Sequence, residues 1–216
     1  YQLNRLSEDL DFDNFGGVDL SSLPGELENY YRNVYAYEAL TIKQQQGSSG
    51  ILRFTLKFPV LSALGLSLHA SETLHLKIEV SHHQQVAVLQ KTPVFTYGHS
   101  FVPSHFTLET MMAGKMLACL ERNFQRGEQD TGIKGRDFYD LLWFMQQGVQ
   151  PLAEKLAEDG EISYSIPQAV AALSEKVAAI QINDLRQDLL PLFENRGYIQ
   201  SWLDSFKANF SRLASA

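Results

Sequence analysis

The chain has 216 residues, 44% of them hydrophobic and 20% charged, so it can bury a sizeable core as one large or two small domains and should fold alone. Its formal net charge of −7 excludes general adhesion to nucleic acid, which needs a Lys/Arg surplus, and leaves open a local basic pocket. The single cysteine, Cys119, excludes an internal disulfide, and the longest apolar runs fall well short of the roughly 20 residues of a membrane span.

A soluble protein of the reducing cytoplasm is therefore expected, with Cys119 packed in a core. Because the chain opens on Tyr1 rather than Met, its numbering is expected to begin inside a longer natural chain.

Arg5-Leu6-Ser7-Glu8-Asp9-Leu10-Asp11-Phe12 sets two carboxylates one residue apart between apolar neighbours. In a strand Asp9 and Asp11 share one face while Leu10 and Phe12 pack behind it. Two acids on one face repel, and a divalent cation relieves that repulsion; hard oxygen ligands of this kind suit magnesium held together with substrate phosphates. As a bare pattern, Asp-x-Asp is also common in surface turns.

Phe15-Gly16-Gly17 then reads as a turn, and Pro24 as the entry to a helix carried by the run from Leu23 to Gln45. Its Leu27, Tyr30, Tyr31, Val34, Tyr37 and Leu40, at helical spacing, are expected in the core. Gln44 to Gly50 reads as a flexible loop leading to a β-rich segment from Ile51 to Phe58, and Ser62 to Ser67 carries no clear pattern. Leu74 to Val80 alternates, with Leu74, Leu76, Ile78 and Val80 on one face and His75, Lys77 and Glu79 on the other. If this strand lies beside the Asp9/Asp11 strand, three carboxylates converge on one sheet edge and can hold two magnesium ions for in-line phosphoryl transfer. Taken singly, Glu79 is one solvated residue of an amphipathic strand.

Thr107 to Asn123 is helical in pattern, and Lys115 falls on the apolar stripe of Leu108, Met111, Met112 and Cys119. A lysine there either snorkels outward or presents its ammonium to a buried anion. Its small neighbours Ala113, Gly114 and Ala118 leave room for a second body, and a phosphate suits that geometry. The segment from Arg126 to Lys134, rich in Gly, Gln and charge, has the character of a covering loop. The next helix opens at Lys134. Its Phe138, Leu141, Leu142 and Met145 form a packing side, while Asp137 and Asp140 share a face.

Acids in a first turn are stabilised by the helix dipole, by about 0.3–1 kcal/mol. The functional alternative has Asp137 orienting Lys115 or meeting a nucleotide group, and Arg136 pairing with Asp140. From Pro151 onward several amphipathic helices follow, carrying Leu152, Leu156, Val170, Leu173, Val177, Ile180, Leu185, Leu189, Leu192 and Phe193. They either pack on the first domain or dock a partner. His82-His83 and the scattered His69, His75, His99 and His105 read as surface residues. No P-loop or dinucleotide loop is present.

Taken in order, Arg5-x-Ser7-x-Asp9-Leu10-Asp11-Phe12, Ile78-Glu79-Val80, Glu109-x5-Lys115-x2-Ala118 and Arg136-Asp137-x-Tyr139-Asp140-Leu141 resemble the AbiEii/AbiGii-type toxin family of nucleotidyltransferases, from Arg5 to about Trp143. The resemblance implies an α+β fold: a polymerase-β-like nucleotidyltransferase core with a mixed sheet over residues 1–104, its N-terminal part apparently missing, then a helical domain over 105–216. It implies Mg2+ on Asp9, Asp11 and Glu79, and a catalytic set of these three acids with Lys115. Lys115 would face the triphosphate, Asp137 support the same pocket, and Arg5 and Ser7 lie near the phosphates.

The implied function is a cytoplasmic toxin of a toxin–antitoxin or phage-defence system. It would move a nucleoside monophosphate from an NTP to an RNA or protein acceptor, with a cognate antitoxin as partner and no membrane. The family's Gly-Gly-Ser/Thr turn, expected ahead of Asp-x-Asp, has no counterpart upstream of Arg5, which opens a second reading: an inactive family member acting as a partner-binding module. A glycosyltransferase also uses Asp-x-Asp to hold a metal with a nucleotide-sugar, but the helices of Lys115 and Arg136-Asp137 do not suggest one.

Overall fold

The structure, a computed structural model of the chain, describes residues 3–7, 9–46, 51–82, 84–122, 125–126, 129–130 and 133–215. The chain divides into two compact units, Ser7–Gln84 and a second made of Tyr1–Leu6 with Gln85–Ala216. The division falls at 84/85, where the sequence expectation placed it at 104/105. The reason is local: Val86 donates its N–H to Asp159, and Lys155 donates to Gln85 and to the Val86 carbonyl, which ties residues 85–86 to the helices. Residues 3–6 join the same unit because Leu6 donates its N–H to the Leu192 carbonyl at 2.9 Å and Arg5 binds Asp140.

The Ser7–Gln84 unit comprises β1 (Asp9–Asp13), α1 (Leu23–Tyr35), β2 (Thr41–Gln46), β3 (Leu52–Phe58) and β4 (Leu74–Ser81). The strands form a mixed sheet in the order β1-β4-β3-β2, with β1 parallel to β4 and the other pairs antiparallel. Leu40, Phe54, Leu56 and Val80 form its buried core, with Leu23, Leu27 and Tyr31 packed on them from the α1 side.

Three expectations change here. The helix ends at Tyr35, with Ala36 in the left-handed region at φ 50° and its N–H bonded to the Tyr31 carbonyl. Thr41–Gln46 is a strand rather than helix or loop: Leu40 and Ile42, two residues apart, both serve the sheet core, and the spacing of Tyr37 and Leu40 only coincides with the helical one. Tyr30 and Val34 are exposed, and Leu10 and Phe12 are 44% and 55% exposed: β1 is an edge strand, and the core is built on β2, β3 and β4. Of the loop expected over 44–50, residues 47–50 lie outside the described residues, as do His83 and residues 127–128 and 131–132 of the expected covering loop.

The second unit holds a two-step β-ribbon, β5 (Leu89–Lys91) paired with β8 (Ser104–Phe106) and β6 (Val94–Thr96) with β7 (His99–Phe101). The helices α2 (Leu108–Glu121), α3 (Gly135–Gln146), α4 (Ala153–Glu158), α5 (Ile166–Ala179), α6 (Ile182–Leu189) and α7 (Arg196–Ala214) follow. Caps set their starts: Thr107 accepts from the Thr110 N–H, Ser165 and Gln168 form a capping box, and Asn195 accepts from the Tyr198 N–H.

The helices close one core containing Met116, Phe138, Leu142, Leu173, Leu185 and Phe206, all at most 1% exposed. The apolar positions of the tail are thus spent on their own unit's packing. Gly135 lets α3 approach α6, since a Cβ there would meet the Asp188 side chain at 3.1 Å. Among the described residues no helix is long and apolar enough to cross a membrane.

Two stability changes are expected. Ala36→Gly relieves a left-handed alanine and should raise stability by about 1 kcal/mol in denaturant titration. Phe206→Ala should cost about 3–5 kcal/mol, through lost burial and the cavity left in the helical core.

Candidate functional site

The parallel pairing of β1 with β4 sets Asp9 beside Lys77, Asp11 beside Glu79 and Asp13 beside Ser81. The question the sequence left open, whether these strands are neighbours, is thereby answered. Apolar Leu10 and Phe12 align with Ile78 and Val80, so the acids share the face opposite the sheet core. The edge is laced to β4 by the Asn14 N–H donating to the Ser81 carbonyl at 2.8 Å and by the Ser81 hydroxyl donating to Asp13. Ser7 turns the chain into β1, its hydroxyl donating to the Asp9 carbonyl at 3.2 Å.

Antiparallel β3 sets Arg53 opposite Glu79, and the Arg53 Nε donates to Glu79 Oε1 at 2.7 Å. Arg53 is half-exposed, so the pair is worth at most about 1 kcal/mol. It matters as countercharge next to two further acids. Sequence reasoning missed this residue, although the alternation Arg53-Thr55-Lys57 could have signalled it.

Asp9, Asp11 and Glu79 fit a magnesium ion by donor type and by strand placement. Among the described residues no three His, Cys, Asp or Glu side chains converge on a point as they stand, and Glu79 faces Arg53. Arg53 engages only Oε1 of Glu79, so holding a cation there requires the three side chains to turn toward one point, with Glu79 Oε2 open to the ion.

The second constellation lies within the helical unit. Lys115 on α2 donates to Asp137 Oδ1 at 2.8 Å and reaches Asp140 Oδ2 at 3.1 Å. Arg5 grips Asp140 with two parallel bonds, Nε to Oδ1 and Nη2 to Oδ2, both 2.7 Å. Arg122, at the end of α2, donates to Asp137 Oδ2 at 2.8 Å. Both carboxylates are buried, while Arg122 is half-exposed and Lys115 about a quarter exposed.

Burial alone would raise the Asp137 pKa, yet the charges of Lys115 and Arg122 hold the carboxyl below its ordinary range. Burial would likewise lower Lys115, and the attraction of Asp137 and Asp140 keeps its ammonium above the usual lysine value.

The choice posed by Lys115 is settled in favour of buried anions, and they are the protein's own. The cations on Asp140 are Arg5 and Lys115, where the sequence suggested Arg136; Arg136 donates its backbone N–H to Asp188 at 3.3 Å. The room beside Gly114 is taken by the stem of Lys155, since a Cβ there would meet Lys155 Cε at 3.4 Å. Lys155 itself went unnoticed in the sequence. Its ammonium is filled by Gln85 and Asp159, each at 2.6 Å, and the Val86 carbonyl at 3.3 Å.

A cavity of about 210 Å³ remains, lined by Gln85, Thr110, Lys115, Arg122 and Lys155 among others. Two of the three ammonium protons of Lys115 are used, which leaves one for a ligand in that cavity. Cys119 is core, its thiol pushed up by desolvation and so inert. The described histidines build no metal site.

A family model described as Nucleotidyl transferase AbiEii toxin, Type IV TA system, matches residues 1–213. No curated protein matches the chain.

The charge cluster predicts a pH dependence. An unfolded aspartate titrates near about 3.9, and the folded carboxyl of Asp137 lies lower, so its contribution to stability is complete above that pH and is lost as pH falls through the folded value. Asp137→Asn should flatten this acid limb in denaturation profiles recorded from neutral pH down to about pH 2. Lys115→Met leaves each carboxylate on an arginine and should cost only about 1–3 kcal/mol. Arg5→Met strips Asp140 of its two-bond partner and should cost about 3–5 kcal/mol.

Proposed function

Because this chain belongs to the nucleotidyl transferase AbiEii toxin family of type IV toxin–antitoxin systems, we propose that it moves a nucleoside monophosphate from a magnesium-bound NTP to a hydroxyl of an RNA or protein acceptor. The observation that carries the reading is the parallel register of β1 and β4, which sets Asp11 beside Glu79 with Asp9 on the same face. The mixed sheet with its Asp-x-Asp edge is consistent with a polymerase-β-like core.

In the proposed reaction the acceptor oxygen attacks the α-phosphorus. A new P–O bond forms as the bond to the bridging β-phosphate oxygen breaks, and pyrophosphate leaves. Asp9, Asp11 and Glu79 would hold magnesium, which would neutralise charge on the phosphates and make the acceptor hydroxyl easier to deprotonate. Glu79 also assists removal of the acceptor's proton. Lys115 offers its remaining N–H to phosphate oxygens, and Asp137 orients that ammonium. Arg5 acts as a positioning residue by fixing Asp140, and Ser7 sets the start of the Asp-x-Asp strand near the phosphates. The toxin works in the cytoplasm, in phage defence, and is held in check by an antitoxin.

The test is label transfer from α-³²P NTPs to RNA and protein in a cell extract. Asp9→Ala and Asp11→Ala should each lower labelling at least about 100-fold at unchanged melting temperature. Undiminished labelling in both variants would overturn the assignment. A wild-type protein that binds neither NTP nor magnesium would point instead to a partner-binding module.

A further inference from the structure

The sheet of the Ser7–Gln84 unit has two unlike faces. One carries the core built on Phe54, Leu56 and Val80. The other is a charged surface whose pattern follows from the strand registers. One row across the sheet runs Asp9, Lys77, Thr55, Lys43, and the next runs Asp11, Glu79, Arg53, Gln45. A third sets His75, Lys57 and Thr41 side by side. The acids therefore occupy β1 and β4 and the cations β2, β3 and β4, the two signs meeting on β4.

Lys43 and Lys77 are exposed and Lys57 half-buried, and among the described residues none of the three takes part in an ion pair. Lys57 is the diagonal neighbour of both other lysines, at roughly 7–8 Å on a pleated sheet. That spacing is within the Debye length of about 8 Å at physiological salt, so the three charges repel one another as one patch. Like charges held together on a sheet cost stability, and a polyanion laid over them relieves the cost.

We propose that this face is the acceptor-binding surface and that the acceptor is an RNA, its backbone phosphates resting on Lys43, Lys57 and Lys77. The inference rests on the transferase reading given above and narrows its acceptor class. Three features favour RNA over a protein acceptor. Among the described residues Lys43 and Lys57 face no carboxylate across the strands, and Lys77, beside Asp9, makes no ion pair. They sit on alternate positions of neighbouring strands, a spacing suited to a row of phosphates. They also border the acids directly: Lys77 flanks Asp9, so a strand lying on the lysines leads its hydroxyl end to the Asp9/Asp11 edge. The rest of a chain of net charge −7 repels a polyanion, which steers it to this patch.

The experiment measures binding of a fluorescein-labelled single-stranded RNA of mixed sequence, without NTP, across a salt series. Replacing Lys43, Lys57 and Lys77 together by Gln removes three phosphate contacts and should lower the slope of log affinity against log salt by about 2. A Lys→Arg triple variant keeps the charges and should keep the slope, and melting temperatures of both verify the fold. An unchanged slope in the Gln variant overturns the proposal, as does unimpaired labelling of a protein acceptor by that variant with no RNA labelled. Because the binding assay involves no chemistry, its failure is separable from that of the transferase reading. Loss of labelling in the Asp9 and Asp11 variants alongside an unchanged salt slope would sink only the RNA surface.

Discussion

Two buried carboxylates one helical turn apart, Asp137 and Asp140, organise the helical unit. Removed from water, each needs a cation, and the chain delivers three from distant positions: Arg5 from the N-terminal segment, Lys115 from the middle of α2 and Arg122 from its end. The cluster pins α2 to α3 and fixes the entering chain next to Ser7. It holds three positive and two negative charges, so a further anion is favoured at its exposed edge. An ammonium with one proton to spare and a guanidinium open to solvent line that edge. The structural clamp thus ends in a positively charged edge open to solvent.

The sheet unit obeys a different constraint. A mixed sheet with one covered face sorts its side chains by alternation alone, and the parallel β1/β4 pair brings acids from opposite ends of the segment into adjacent rows. Arg53 answers part of that negative charge from β3. What remains is an edge rich in carboxylates next to three lysines that, among the described residues, make no ion pair. Charge separated in this way on an open surface contributes little to stability.

Much of the candidate site was legible because its residues sit where local periodicity is strong. Asp-x-Asp in an alternating strand, Glu79 on the polar side of Leu74 to Val80, and Asp137 and Asp140 three apart on a helix all follow from side-chain geometry. The errors arose where two periods coincide. The spacing of Tyr37 and Leu40 continues the helical rhythm of α1, yet both serve the sheet core after the chain has turned at Ala36. Leu10 and Phe12 alternate as a buried face should, but at a sheet edge alternation does not provide a cover. Lys155 and Arg122 were missed because a charged residue in a polar helix end carries no local sign of burial or of a distant partner.

By itself the sequence determined which side chains share a face, and that an Asp-x-Asp strand, a further acid, a lysine and a pair of helix acids occur in an order typical of one toxin family. Those properties depend only on the 2.0 and 3.6 residue periods and on short-range bonding. The tertiary structure alone decided that β4 is the strand beside β1, that Asp140 belongs to Arg5 and Lys115, and that residues 85–104 go with the helices. Each of these is a pairing between segments far apart in the chain, fixed by burial and charge neutralisation in three dimensions, which no local pattern encodes.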